Sequence, residues 1–301
     1  RKTGRASWPR WRRTKLPAKT YDTLLAEGAA QLRKAGIDTS RLEARWLLAH
    51  AAGCQSSDLI ARGGGNVSDE INSAYSNSIL RRAAREPLQH IIGSTEFFGL
   101  EFLSDGRALI PRPDSEILVE AALARIPDNA PVFIADLGTG SGCLLSAILA
   151  NRPLATGEGV EASQDAAELA EENLSRLGLS DRASIHNGPW SDWQKWGAAD
   201  LIISNPPYIV SAEMAGLMPE VRDHDPAAAL DGGPDGLNAY REIVGLAAGR
   251  MKPGGWLVFE IGYDQRLSVG ALLETAGFEA ITCLKDLGGN DRAIAAQHPV
   301  V

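Results

Sequence analysis

Cysteine is scarce: Cys54, Cys143 and Cys283 are the only three, and each stands alone in the sequence. That excludes a disulfide framework and a cysteine-ligated zinc cluster. The five histidines, at positions 50, 90, 186, 224 and 298, form no HExxH or comparable spacing, so nothing in the pattern points to a metal centre. No apolar run approaches the ~18 residues of a membrane-spanning helix. A Walker-type phosphate loop and the GxGxxG dinucleotide fingerprint are also missing, and no internal repeat is evident. What is there is ordinary globular material: 301 residues, 44% hydrophobic and 23% charged. That length suits two domains with a sizeable core.

Positive charge is unevenly placed. Residues 1–19 hold eight of the 30 Lys and Arg residues and no acid, so the rest sets 22 basic against 38 acidic residues, a balance of −16. An acidic body argues against a broad nucleic-acid footprint, which needs clustered cations to neutralise phosphates. The basic stretch itself has two prolines and no apolar periodicity. It reads as a disordered tail or an upstream extension; a transit peptide or a nucleic-acid-binding arm has a similar composition.

Residues 20–86 read as an all-helical bundle. The first segment carries Leu24, Leu25 and Leu32 at helical spacing and closes at Gly36. A second opens on Ser40-Arg-Leu-Glu43, a capping-box pattern, and sets Leu42, Trp46, Leu47 and His50 on one side. A third begins at Ser68 with Ile71, Tyr75 and Ile79 on one stripe. Trp46 and Tyr75 are expected in the core. The bundle shows no catalytic chemistry, so docking a partner is its expected task. Residues 87–113 turn to short strands, 88–92, 95–98 and 100–103, punctuated by Gly93, Gly99 and Asp105-Gly106, as in a hairpin connector. Ile110-Pro-Arg-Pro-Asp-Ser-Glu116 then introduces a helix, with Asp114 or Ser115 as its cap. Arg112, held between two prolines, is either a turn residue or a charge offered to a ligand.

Residues 114–301 alternate strand and helix, the signature of an α/β, doubly wound parallel sheet. Strands are expected at 132–136, 157–161, 183–187, 200–203 and 255–261, with two more at 278–284 and 292–297. Between the fourth and fifth lies a long loop, in which Asp223, His224 and Asp225 read as turn and cap residues.

Two turns carry the chemistry. The first strand, ending at Asp136, runs into Gly138-Thr139-Gly140-Ser141-Gly142 and then a helix, so a ligand can approach backbone N–H groups. Glu161, at the end of the second strand, can accept hydrogen bonds from both hydroxyls of a ribose. A glycine turn, a ribose acid and no phosphate loop suit S-adenosylmethionine, which has an adenosine and a charged amino acid but no phosphate. The second turn is Asn205-Pro206-Pro207-Tyr208 after the apolar strand 200–203. Neither proline can continue a ladder. The strand therefore stops, with an Asn amide, stiffened carbonyls and an aromatic ring at the end where α/β sheets bind ligands. Such a site fits a planar –NH2 group: two acceptors for its hydrogens, and a ring for its face.

Residues 85–293 resemble the PrmC/HemK family of protein-(glutamine-N5) methyltransferases. The resemblance is carried by Glu86-Pro-Leu-Gln-His-Ile-Ile-Gly, Ile110-Pro-Arg-Pro-Asp-Ser-Glu, Asp136-Leu-Gly-Thr-Gly-Ser-Gly and Ser204-Asn-Pro-Pro-Tyr-Ile. It continues in Ala229-Leu-Asp-Gly-Gly-Pro-Asp-Gly-Leu, Pro253-Gly-Gly, Glu260-Ile-Gly and Lys285-Asp-Leu-Gly-Gly-Asn-Asp-Arg292. It implies a class I methyltransferase Rossmann-like fold with an N-terminal helical domain and a hairpin connector. It also implies methylation of the glutamine in the Gly-Gly-Gln motif of class 1 peptide release factors. By position, Gly138–Gly142 would hold the methionine part of the cofactor, Glu161 the ribose and Trp190 the adenine, with Asp136 and Asn205 also cofactor-binding; Asn205–Tyr208 would hold the glutamine, with Asn205, Pro206 and Tyr208 catalytic. The chain departs from many relatives at Gly188-Pro189-Trp190, where an acid commonly precedes the tryptophan, and at Asp225-Pro226, where a glutamate is common. An exocyclic base amine of DNA or RNA is the alternative acceptor, because Asn-Pro-Pro-Tyr also resembles the motif of nucleic-acid amino-methyltransferases. A cofactor-binding regulatory protein is a third reading, opposed by the intact Asn205 and Tyr208. The expected location is the cytoplasm, or a mitochondrion or plastid if residues 1–19 belong to a transit peptide; no nucleic-acid or membrane partner is expected.

Overall fold

In the computed structural model, residues 19–300 are described; the basic tail, apart from Lys19, lies outside them. The chain divides into two compact units with the boundary between Leu88 and Gln89.

The first unit is helical: α1 (Tyr21–Lys34), α2 (Ser40–Ala51), α3 (Asp58–Arg62) and α4 (Asp69–Ala83). Thr20 and Thr23 cap α1 reciprocally, and the Ser68 hydroxyl caps α4 by accepting from Ile71 N. Leu24, Leu32, Leu47, Leu48, Tyr75 and Ile79 are buried. Two expectations need correction. Ser40 is the first residue of α2 rather than its cap, and Thr39 donates its hydroxyl to Glu43 at 2.7 Å. Trp46 is 40% exposed and Leu42 44%, because α2 turns Ala44, Leu47 and Leu48 inward instead. The same face carries an ion pair that periodicity does not see: Glu43 accepts from Arg82 Nε at 2.5 Å, with both side chains buried.

Helix α5 (Leu88–Ile92) occupies the segment expected as a strand. Pro87 stands at its start, where a missing N–H costs nothing, and Gly93 N closes it by donating to Gln89 O at 2.8 Å. Strands β1 (Ser94–Phe97) and β2 (Leu100–Leu103) then pair as an antiparallel hairpin across Phe98-Gly99. Leu103 N donates to the Asn173 side chain at 2.7 Å, fastening the hairpin to the rest of the larger unit.

That unit is a seven-stranded sheet. After α6 (Glu116–Leu123) come β3 (Phe133–Leu137), α7 (Cys143–Asn151), β4 (Thr156–Glu161), α8 (Gln164–Arg176), β5 (Ala183–Asn187) and β6 (Leu201–Ser204). There follow a short α9 (Pro219–Arg222), α10 (Asn238–Arg250), β7 (Trp256–Glu260), α11 (Arg266–Thr275), β8 (Glu279–Lys285) and β9 (Asp291–Gln297). The spatial order is β5-β4-β3-β6-β7-β9-β8, parallel from β5 through β7, with β9 antiparallel to both of its neighbours. The central strands β3, β6 and β7 are mostly apolar because both faces are covered, with polar residues near their carboxyl ends. Ile134, Leu201, Ile203 and Val258 enter one core with α6 and α7; Ala135, Ile202, Leu257 and Phe259 enter the other with α10 and α11. No helix among the described residues is long and apolar enough to cross a membrane.

Breaking a buried ion pair from one side is costly because the remaining charge keeps its desolvation penalty. A Glu43→Gln variant should lose on the order of 3 kcal/mol from the helical unit, read as an earlier urea transition of that unit in the full chain.

Candidate active site

Strand order reverses between β3 and β6, and at such a switch point the loops leaving the two strands part and open a crevice. The strands end level, with Asp136 beside Ile203, and the Ser204 hydroxyl donates to Leu137 O at 2.6 Å across the gap. A cavity of about 380 Å³ opens there, a volume suited to a nucleoside-sized ligand.

The glycine turn forms one wall. Gly138 and Gly140 take φ of +71° and +55°, left-handed values that side chains resist, and both border the cavity with Thr139 and Ser141. A Cβ on Gly138 would stand 3.7 Å from the Trp190 ring, so the indole lies directly over the turn. Glu161, at the end of β4, closes the side. Its Oε2 accepts from Gly140 N and its Oε1 from Ser163 N, each at 2.9 Å, fixing the carboxylate on the cavity rim. Asn205 and Pro207 complete the set from β6.

Asp136, Gly142, Pro206 and Tyr208 sit behind that wall. Asp136 is fully buried: its Oδ2 accepts from Thr139 Oγ1 at 2.7 Å and from Leu145 N at 3.4 Å, so it ties the turn to the first turn of α7. Burial pushes its carboxyl up to about 7, against those two donors. Gly142 packs on Ala170, Pro206 is buried, and the Tyr208 hydroxyl donates to Glu260 Oε1 at 3.2 Å. The loop exit is pinned as well, since Ile209 N donates to Leu230 O and Gly232 N to Ile209 O. A Cβ on Gly232 would come within 2.8 Å of Pro207 O, so only glycine lets this strap lie against the loop.

Sequence reasoning left Arg112 between a turn residue and a charge offered to a ligand, read Ser115 only as a candidate cap, and gave Glu260 no role of its own. Arg112 and Ser115 line the cavity, and Glu260 stands just behind. Ser115 stands at the N-cap position of α6, as expected, but its side chain does not cap the helix; its hydroxyl donates to Glu260 Oε2 at 2.5 Å. Arg112 donates to Asp225 Oδ2 at 3.1 Å, joining the segment before α6 to the loop after α9. Burial pushes Asp225 up to about 6, against the opposing pull of Arg112 and His224. A carboxylate closing an otherwise apolar strand was the signal for Glu260; Arg112 and Asp225 are 113 positions apart, and nothing local links them.

A glycine turn beneath an indole, a carboxylate at the end of the next strand and room for a nucleoside-sized ligand fit S-adenosylmethionine. With this sheet order they define a class I, S-adenosylmethionine-dependent methyltransferase. The PrmC N-terminal domain family matches residues 23–93, and the methyltransferase small domain family matches residues 114–219. The release factor glutamine methyltransferase of Caulobacter vibrioides is 40% identical over 264 residues, covering 88% of this chain and 91% of the relative. That of Geobacter sulfurreducens is 41% identical over 266 residues, covering 88% and 92%. The chain belongs to the release factor glutamine methyltransferase family, as its motifs indicated. Among solved structures, the hMettl16 catalytic domain in complex with the MAT2A 3′UTR hairpin 6 shares the fold at 17% identity and a TM-score of 0.57, covering 75% of this chain and 82% of that one.

Because the Asp225 carboxyl lies above its unfolded value of 3.8, folding favours its protonated form. Its contribution to stability is full below that value and is lost as pH rises through about 6. An Asp225→Asn variant should flatten this part of the stability profile. Removing the opposing guanidinium in Arg112→Met should move the carboxyl higher still, as read by carboxyl-carbon NMR titration.

Proposed function

We propose that this chain transfers a methyl group from S-adenosylmethionine to the side-chain amide nitrogen of the glutamine in the Gly-Gly-Gln motif of class 1 peptide release factors. One observation carries the reading: the Asn205 amide opens on the same cavity as the glycine turn, so an acceptor –NH2 can be held beside a nucleoside-bound donor. In this reading, Gly138–Gly142 hold the amino-acid part of the cofactor, Glu161 the ribose and Trp190 the adenine, while Asp136 keeps the turn in shape from behind. When bound, S-adenosylmethionine supplies an already activated methyl carbon, which leaves the protein mainly to position and polarise the acceptor.

An amide nitrogen is a poor nucleophile because its lone pair is delocalised into the carbonyl. The Asn205 side-chain oxygen and the Pro206 carbonyl accept its two hydrogens, which stabilises the positive charge that develops on nitrogen as the methyl arrives. The chain's rigidity matters here. Pro206 and Pro207 have no N–H to compete for these acceptors, and Ser204 and Ile209 clamp the loop at either end. Tyr208 limits where the acceptor amide can lie. No strong base is required before attack, since the methylated nitrogen loses its proton afterwards. The helical unit, residues 20–86, serves recognition of the protein substrate, residues 87–113 are the connector, and residues 114–301 carry the chemistry. We place the reaction in the cytoplasm, with no membrane partner and no direct nucleic-acid partner. An exocyclic base amine would suit the same acceptors, but the acidic body, at −16 outside the tail, counts against a nucleic-acid substrate.

The test offers labelled S-adenosylmethionine with a purified release factor, the same factor with its Gly-Gly-Gln glutamine replaced, and duplex DNA. Label is expected on the intact factor alone; label on DNA alone would move the acceptor to a base amine. An Asn205→Ala variant should lower kcat by roughly 100- to 1,000-fold; turnover at the wild-type level would remove Asn205 from the mechanism.

A further inference from the structure

Glu260 is 3% exposed at the end of β7, next to β6, where Ser204 pairs with Phe259. A buried carboxylate is expensive unless its lone pairs are satisfied, and here they are taken by two hydroxyls from separate segments. Ser115 donates to Oε2 at 2.5 Å and Tyr208 to Oε1 at 3.2 Å. Tyr240 donates to the Glu260 backbone carbonyl at 2.7 Å. Arg292, which also contacts Asp286 and Asp114, lies near enough to temper the charge. Burial, reinforced by the neighbouring carboxylate, raises the Tyr208 phenol well above its usual range, so it stays protonated and remains a donor. The other end of the same residue is also held: Gln265 Nε2 donates to Tyr208 O at 3.1 Å and to Gly236 O at 3.2 Å.

We propose that Glu260 is a positioning residue: from behind the cavity it fixes the ring of Tyr208 through the phenol hydroxyl, and so sets the aromatic surface against which the acceptor amide is held. The inference rests on the reading of Asn205–Tyr208 as the acceptor site. A ring held only near its Cβ can turn about both side-chain torsions, whereas a bond at its far end locks them together. Hydrophobic packing alone does not explain why β7 ends in a carboxylate, because an apolar residue of similar size would fill the volume without the desolvation cost.

The experiment is a double-mutant cycle of Glu260→Gln and Tyr208→Phe. It reads kcat and KM for the release factor, affinity for S-adenosylmethionine by calorimetry, and amide hydrogen exchange at Asn205, Tyr208 and Ile209. Each single variant is expected to lose roughly 10- to 100-fold in kcat/KM for the protein substrate, the scale of a hydrogen bond to a charged group. Cofactor affinity should stay within about twofold, and the double variant should be no worse than the poorer single. The loop amides should exchange faster in Glu260→Gln than in the wild type, with β3 amides unchanged. Losses that multiply in the double variant, or loop exchange at the wild-type rate, would overturn the proposal. If Glu260→Gln does not fold, Tyr208→Phe reads the same bond from its other end, and wild-type turnover with wild-type loop exchange in that variant has the same consequence. A wild-type chain that methylates no release factor would instead remove the functional reading, while the exchange measurement, which needs no substrate, still decides the positioning.

Discussion

The parallel pairing of β3 with β6 is the constraint on which the candidate site depends. Asp136 stands opposite Ile203, so both strands end at one level, and the turns that follow them face a common crevice. One turn is a glycine loop that borders the cavity beneath the Trp190 indole, and the other carries an amide and two prolines. The first suits the charged, phosphate-free cofactor; the second suits an amide. A slip of one residue in this register would flip the side chains of β6 between the two cores and carry Asn205 away from the cavity. The hydroxyl of Ser204 on Leu137 O locks that register where it matters most.

Around this junction the protein puts polar groups where apolar ones would pack as well. Asp136 beneath the glycine turn, Glu260 behind Tyr208, Gln265 at the Tyr208 carbonyl and Asp225 against Arg112 are all buried or nearly so. All but Asp136, whose partners Thr139 and Leu145 are near neighbours in the chain, join segments that are distant in sequence. Their common effect is to exchange desolvation cost for defined geometry, which is what a reaction of low intrinsic reactivity requires: the amide nitrogen must be brought to the methyl carbon in one orientation. The helical unit likewise holds a buried pair, Glu43 with Arg82, that joins α2 to α4, while Trp46 is exposed.

Much of this was legible in the residues themselves. The strands of the sheet were found within a residue or two, because runs such as Leu201–Ser204 are apolar on both faces and end in residues that cannot continue a ladder. Gly138–Gly142, Glu161 and Asn205 stood out because each is a residue type whose chemistry has few other uses at a strand end, whereas Trp190 was indicated only by the family resemblance. The misreadings have two origins, one local and one tertiary. Residues 88–92 look like a strand by composition, but Pro87 and Gly93 bracket a single helical turn. Ser40 looks like a cap, but the buried pairing of Glu43 places it inside the helix.

The sequence by itself determined the alternation of strand and helix, the two ligand-facing turns, and the kind of donor and acceptor each presents, because these follow from local backbone chemistry. Only the tertiary structure decided which carboxylates support the site and how. Glu260 meets Ser115 across 145 positions and Tyr208 across 52, and Arg112 meets Asp225 across 113. A hydrogen bond between such residues exists only once strand order has brought them together, and a linear pattern carries no distance in space.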